Sequence, residues 1–182
     1  MTATGRLAVA IGGAVRITNA GRGIHQREIV GVDKLKTSLP DGWLAFTNLD
    51  LAISKGSREI DVVMIIDDRI VLIDLKDWHG KIRSDGGSWL QNDIDMGRSP
   101  VAKISENVRD VAQLLKKYLG EQARRAGKPT TDVVVPRVHG FVVLTGTKDR
   151  SGISPTEANL VFDIDTFIRM VQKTGDRIKY WG

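Results

Sequence analysis

The residues best suited to chemistry are Asp61, Asp74 and Lys76, which lie in two neighbouring apolar segments. Two carboxylates that lie close together repel each other, and a divalent metal ion compensates their charge most directly. Carboxylate oxygens are the ligands that Mg²⁺ prefers, and a bound ion can polarise a phosphodiester and activate water. A neighbouring lysine can hold the attacking water or balance charge in the transition state. These residues indicate phosphodiester hydrolysis that depends on Mg²⁺ or Mn²⁺.

A β-hairpin brings these three residues together. Residues 59–66 and 69–76 are the clearest strands in the chain, and Asp67-Asp68 predicts a two-residue turn between them. The numbers of paired residues then sum to 135, which places the two aspartates of the site directly opposite each other. An isolated Asp-x-Lys usually marks a surface salt bridge. The partner aspartate at the matching position favours a functional site here.

Both faces of this hairpin are apolar, which is typical of central strands covered on both sides. One face carries Val62, Met64, Ile66, Val71, Ile73 and Leu75, and the other carries Val63, Ile65, Ile70 and Leu72.

The other segments predict a mixed α/β fold. Helices are predicted at 24–38, 100–119 and 165–173, and strands at 43–53, 140–145 and 159–163. The long helix has Ser99 and Pro100 as its N-cap and first residue, and Gly120 as its end. Its apolar stripe is Val101, Ile104, Val108, Val111, Leu115 and Tyr118.

Composition narrows the function classes. The formal net charge is +5 and the pI about 9.6, which favours a polyanionic partner such as DNA, with RNA left open. The absence of cysteine excludes disulfides, zinc–thiolate sites and thiol nucleophiles, and suits the cytoplasm. No stretch has the roughly 20 apolar residues that cross a bilayer. The apolar run Leu7–Val15 predicts an N-terminal strand rather than a signal peptide.

The hairpin resembles that of the PD-(D/E)xK nuclease superfamily, and its sequence is closer to one branch, the nuclease-related domain (NERD) family. The matching strings are Glu-Ile-Asp61-Val-Val and Val-Leu-Ile-Asp74-Leu-Lys76-Asp-Trp78-His-Gly80-Lys-Ile82. Trp89 and the helix start at Ser99-Pro100 follow in the order that the family shows. The resemblance covers roughly residues 23–145.

The resemblance implies a restriction-endonuclease-like core, with a central mixed β-sheet flanked by helices on both faces. It also implies an acidic residue on the first helix, where Glu28 matches by position as a metal ligand or base. A solvated helix glutamate is an equal alternative for Glu28. Asp74 and Asp77 replace the glutamate and asparagine that are usual in the family, and Lys103 replaces a glutamine.

Several residues outside the hairpin have two interpretations. Lys103 and the pair Lys116-Lys117 can contact nucleic-acid phosphates, or they can be solvated helix lysines. Trp78 and Trp89 can stack on bases, although packing is the commoner role of such residues. His79 lies beside the motif and can act as a base, but a lone histidine in a turn is more often structural or exposed.

These observations predict one nuclease-related domain over residues 1–182, with its motif-bearing core at about 23–145. The predicted function is a metal-dependent DNA endonuclease in DNA processing or phage defence. The alternative is a catalytically weakened nucleic-acid-binding or partner-docking module of a larger kinase or helicase protein. In that alternative the chain is the N-terminal part of a longer polypeptide with a covalently linked C-terminal domain.

Overall fold

The structure, a computed structural model, describes residues 16–19, 26–39, 42–53, 56–66, 69–85 and 87–174. The strands are β1 (Arg16–Asn19), β2 (Leu44–Ile53), β3 (Gly56–Ile66), β4 (Arg69–Lys76), β5 (Ile82–Asp85), β6 (Ser88–Gln91), β7 (Ile94–Arg98), β8 (Arg137–Leu144) and β9 (Val161–Asp163). The helices are α1 (Gln26–Ser38), α2 (Pro100–Arg125) and α3 (Ile164–Thr174), with 3₁₀ turns at Thr130–Asp132 and Ala158–Leu160.

Six of the described strands form the main sheet in the order β1-β2-β3-β4-β8-β9. β2, β3 and β4 pair antiparallel, whereas β1 with β2, β4 with β8 and β8 with β9 pair parallel. The parallel step from β4 to β8 needs a long crossover, and α2 supplies it. The sheet is therefore mixed, as the sequence predicts.

Hydrophobic cores cover both faces of this sheet, and they match the two apolar faces predicted for the hairpin except at Ile65, which is 37% exposed. Residues of α1 and α3 pack on the face that carries Val62, Met64 and Ile73. Residues of α2 pack on the face that carries Val63 and Leu72. The prediction of central strands covered on both sides is confirmed at these positions.

The pairing of β3 with β4 follows the predicted register. Ile66 pairs with Arg69 and Val62 pairs with Ile73, so the residue numbers sum to 135 along the ladder. The turn residues Asp67 and Asp68 lie outside the described residues, as does the run Leu7–Val15 that predicts an N-terminal strand.

The predicted end of the long helix at Gly120 is wrong. α2 starts as predicted, since the Ser99 side chain accepts a hydrogen bond from the Ala102 amide, but it continues to Arg125. The chain leaves the helix at Gly127, whose φ of +66° is the left-handed conformation that ends many helices. The stripe is buried at its N-terminal end, whereas Tyr118 is 57% exposed.

A small sheet of β5, β6 and β7 separates β4 from α2, and no strand was predicted there. Its tight turn at Asn92 and Asp93 has left-handed φ values of +51° and +65°. Trp89 of β6 is fully buried and packs edge-on against Trp78 at 5.9 Å between ring centroids. Trp89 is therefore a packing residue and not a stacking surface for bases.

The side chains of the β2–β3 hairpin change faces of the sheet at one pair of opposed residues, Asn48 and Asp61. In a regular strand, residues two apart share a face. Val62 nevertheless belongs to the core under α1 and α3, whereas Ile60 belongs to the core under α2. Asn48 adopts a left-handed φ of +51°, and the ladder passes from Thr47–Val62 to Leu49–Ile60 without a pair between. Asp61 therefore lies at a corner of the sheet.

No helix among the described residues has both the length and the apolar character that crossing a membrane requires.

Candidate active site

Asp74 lies near the C-terminal end of β4 and is almost completely buried, at 4% exposure. The Lys76 ammonium lies 2.7 Å from its Oδ2, and the Lys103 ammonium of α2 lies 3.8 Å from its Oδ1. The Lys76 contact is an ion pair without hydrogen-bond alignment, because Oδ2 has no hydrogen-bond donor in the described structure. Among the described residues, the two ammonium groups are the partners that hold this buried carboxylate.

Asp61 reaches the same site from the corner of β3. The β3–β4 ladder ends at the pair Val62–Ile73, so Asp61 and Asp74 do not form the directly opposed pair that the register predicts. Instead, the Leu75 amide donates a 2.7 Å hydrogen bond to Asp61 Oδ2. The two strands separate here, and the Asp61 carboxylate bridges the gap between them.

Burial and a neighbouring carboxylate raise the pKa of Asp61 to about 7. Loss of solvation is the largest cause, and repulsion from Asp74 is the second. Lys76 lowers the pKa, Glu28 raises it, and the hydrogen bond from the Leu75 amide lowers it. The charged form of Asp61 is thus undercompensated, and an additional cation would favour it.

Glu28 lies in the first turn of α1 and is half-buried. It is close enough to Asp61 to influence its charge, so the structure brings it toward the candidate site. Gly31 makes this approach possible, because a Cβ atom there would lie 2.9 Å from Thr145 Cγ2 and 3.3 Å from Leu75 Cδ1. Gly31 lowers the helix propensity of α1, but it is required where α1 crosses the end of β4.

The start of α2 is fixed by a half-buried acid, Glu157. Ser99 donates its hydroxyl hydrogen to Glu157, and Trp89 Nε1 donates to Glu157 Oε2 at 3.0 Å. Because Lys103 lies one turn after the cap, these bonds fix the backbone position from which its side chain extends. Lys103 is half exposed, at 52% of its side chain, so it faces both Asp74 and solvent.

The other predicted contact residues lie elsewhere. Lys116 and Lys117 are exposed on the C-terminal half of α2, about 20 Å along the helix from Lys103 at 1.5 Å per residue. His79 has a 70% exposed side chain, and its Nε2 lies 3.2 Å from Asp77 Oδ1. That carboxylate also accepts a bond from the Thr145 hydroxyl, so the pair forms a small surface cluster beside the site.

Two asparagines near the site were not predicted. Asn48 forms the corner opposite Asp61, and no sequence pattern marks that left-handed residue in advance. Asn107 of α2 is 3% exposed, and its Oδ1 has no hydrogen-bond partner in the described structure. Its position was detectable, because Asn107 lies three residues after Ile104 and four before Val111 on the apolar stripe.

The donor set suits a hard divalent cation. The two carboxylates supply oxygen ligands, and Asp74 Oδ2 is a buried acceptor without a donor among the described residues. The described residues include no group of three or more His, Asp or Glu side chains arranged to hold an ion. The fit therefore rests on Asp61 and Asp74 as a pair, with Glu28 farther out.

The chain matches the family described as nuclease-related domain, NERD, over residues 23–145. The match covers more than half of the chain, and the chain belongs to this family. Its mixed sheet with helices on both faces is consistent with a restriction-endonuclease-like core. Membership indicates a nuclease-related function, and divalent-metal dependence is typical of such domains.

The chain is also similar to the probable kinase PglW of Streptomyces coelicolor (strain ATCC BAA-471 / A3(2) / M145). The two are 30% identical over 98 residues, which is 50% of this chain and 6% of that protein. The chain thus corresponds to a small part of a much longer relative.

Proposed function

We propose that this nuclease-related domain is a metal-dependent DNA endonuclease, with Asp61 and Asp74 as ligands of Mg²⁺ or Mn²⁺ and Lys76 beside them. The observation that carries the proposal is the convergence of buried Asp74, half-buried Asp61 and Lys76 at the β3 corner. Burying like charges is unfavourable unless a cation compensates them. A fold that retains such a pair is best explained by a bound ion.

When bound, the ion would polarise the phosphodiester and lower the pKa of a coordinated water. Asp74 would hold it from the end of β4, and Asp61 from the corner of β3. Glu28, on the neighbouring helix, would be a further ligand or the base that accepts a proton from water. The proximity of Asp61 to Asp74 supports the two ligand roles, and the electrostatic influence of Glu28 on Asp61 supports the third.

Lys76 would act on the substrate. Its side chain is 20% exposed, and its ammonium lies between buried Asp74 and the surface. A cation there can donate to a phosphate oxygen as negative charge develops on it. The greater exposure of Lys103 suits a contact with a neighbouring phosphate.

The basic composition supports a polyanionic substrate. The net charge of +5 attracts DNA or RNA without selecting a sequence. We take duplex DNA as the substrate, and a cytoplasmic role in DNA processing or phage defence as the setting. The similarity to a much longer protein supports action as one domain of a larger polypeptide.

The decisive test is cleavage of supercoiled and linear DNA in Mg²⁺, in Mn²⁺ and in EDTA. Asp74→Asn and Lys76→Ala should each lower the rate by about 10²–10³-fold, which is typical for loss of one charged group of an active centre. Asp165→Asn is a matched control, because Asp165 also pairs with two lysines, Lys34 and Lys148. Cutting that survives EDTA or Asp74→Asn would contradict the proposal.

The second candidate function is a nucleic-acid-binding module without catalysis. It is favoured by the two lysines that already neutralise Asp74, because they can replace the charge of a metal ion. Such a module would bind DNA equally well in EDTA, with strong salt dependence and no cutting. Binding without cutting by the parent protein in both metals would select this candidate.

A further inference from the structure

A concave surface lies at the far end of α2 from Asp74. It is a cavity of about 380 Å³ between α2 and the segment that follows it. Its charged lining is basic: Lys116, Lys117 and Arg124. Gly120 and Thr130 complete the polar part of its wall, and none of the acidic side chains that the structure describes lines it.

The three cations of this pocket differ from most of the other lysines and arginines that the structure describes. Lys76 pairs with Asp74, Arg58 with Asp110 and Arg98 with Glu106. In the part of the chain that the structure describes, the pocket cations have no ion pair or side-chain hydrogen bond, and all three are exposed. Uncompensated positive charge in a concave site attracts an anion.

The pocket and the active site lie on one stripe of α2. Lys103, Asp110, Lys117 and Arg124 follow one another at intervals of seven residues. Residues seven apart on a straight helix differ in direction by only about 20°. Asp110, the one acid in this series, is bound by Arg58 Nε at 3.0 Å. The stripe therefore carries basic side chains at its two ends, and Arg58 compensates the acid between them.

A helical glycine, Gly120, forms part of the pocket wall. Glycine inside a helix costs about 1 kcal/mol relative to alanine. Packing does not require it here, since a Cβ atom at Gly120 would meet nothing within 4 Å. Its effect is to keep the pocket wall low between Lys117 and Arg124.

We propose that this pocket, lined by Lys116, Lys117 and Arg124, binds a backbone phosphate of duplex DNA that extends from the active site along α2. The proposal rests on the proposed function and adds a second, remote contact to it. From Lys103, Lys117 is about 21 Å away and Arg124 about 32 Å away, at 1.5 Å per residue. Duplex DNA rises 3.4 Å per base pair, so the contacted phosphate lies about 6–9 base pairs from the scissile bond.

The test measures binding of a 30-base-pair and a 6-base-pair duplex across a KCl series, in the Asp74→Asn background to prevent cutting. The pocket variant is Lys117→Ala/Arg124→Ala. The matched control is Arg125→Ala/Lys128→Ala, which removes the same charge from exposed positions outside the pocket lining. Gly120→Leu fills the pocket without any change of charge.

The pocket variant should bind the long duplex about tenfold more weakly and lower the salt slope by about 1.8, the value for two phosphate contacts. The control should keep at least half of the parental affinity. Gly120→Leu should also weaken binding of the long duplex, and the 6-base-pair duplex should not distinguish any of the variants. An equal loss in the control, unchanged binding by Gly120→Leu, or no binding of DNA by the parent would overturn the proposal.

The pocket and the nuclease activity can fail separately. Metal-dependent cutting with no effect of the pocket variant would retain the nuclease and reject the pocket. Pocket-dependent binding with no cutting by the parent would retain the pocket and reject the nuclease. Circular dichroism of each variant checks that the helix is intact.

Discussion

Replacing Asp61 with asparagine should make the metal-free protein more stable, even though it should abolish cutting. Above neutral pH the parent must keep a charged Asp61 beside Asp74 in a poorly solvated corner. The introduced asparagine would be neutral, and its side-chain oxygen can still accept the hydrogen bond from the Leu75 amide that the carboxylate accepts now. The substitution removes the charge while it preserves the strand connection.

The magnitude follows from the pKa of Asp61, which is raised from 3.8 to about 7. Each pH unit corresponds to about 1.4 kcal/mol, so the full penalty is about 4 kcal/mol. Asp61 is half-buried rather than enclosed, and water relieves part of this penalty. A gain of about 1–3 kcal/mol, or about 2–12 °C in Tm for a chain of this size, is therefore expected.

The stability difference between the parent and Asp61→Asn should depend on pH. A carboxyl group with a raised pKa binds more protons in the folded state, so the stability of the parent falls as the pH rises from about 4 to about 7. The variant lacks this decline. The two proteins should have similar stability near pH 4, and the difference should reach its full value above pH 7.

Thermal and urea unfolding between pH 4.5 and 8.5 in EDTA measures this difference. Asp74→Asn is the comparison, because it leaves Lys76 and Lys103 without their anion and should destabilise the fold. Added Mg²⁺ should stabilise the parent more than Asp61→Asn. If Asp61→Asn destabilises the protein at pH 8 as Asp74→Asn does, the electrostatic reasoning about this corner is wrong.

Three further predictions concern stability, each read from thermal unfolding. Gly31→Ala should cost about 1–3 kcal/mol through its close approach to Thr145, whereas Gly120→Ala should gain about 0.5–1 kcal/mol in open space; equal effects would contradict this packing. Hydrogen bonds from Lys148 and then from Lys34 lower the pKa of Asp165 to about 2. The contribution of Asp165 to the stability of the fold should therefore be present at pH 4 and lost toward pH 2, and Asp165→Asn should abolish this loss. Trp89→Phe should cost at least about 1 kcal/mol, because Glu157 loses a buried donor; an unchanged Tm would show that the bond contributes nothing.

The hairpin of β3 and β4 was predictable because two independent signals agree there. The turn position sets the register, and the apolar residues on both faces allow only one arrangement. The family motif then indicates the chemistry of Asp61, Asp74 and Lys76. Their roles remain predictions, since geometry alone does not establish catalysis.

The end of α2 could not be predicted because two glycines compete as stop signals. Gly120 lies between residues that continue the helix, whereas Gly127 precedes Lys128 and Pro129. Helix propensity penalises both glycines, but only the second adopts a left-handed φ. The outcome depends on how the last turns of α2 pack, which is a tertiary effect.

The small sheet and the corner of β2 and β3 were missed for another reason. Strands of four or five residues, such as β5 to β7, are too short for a periodic pattern. The corner at Asn48 depends on one backbone angle, whereas the sequence pattern predicts side chains that alternate regularly between the two faces of the strand. That pattern produced the expected direct opposition of Asp61 and Asp74, which the structure replaces with the bond from Leu75.

The corner at Asn48 and Asp61 also prevents a shift in the register of the strands that carry the candidate active site. A hairpin can usually shift its register when neither strand has a distinctive position. Here the left-handed bend at Asn48 faces Asp61, and the apolar residues change faces on both strands at that step. A shift by one residue would set the bend against a straight segment and expose residues of both cores. The corner therefore fixes the register of the strands, and this register keeps Asp61 beside Asp74.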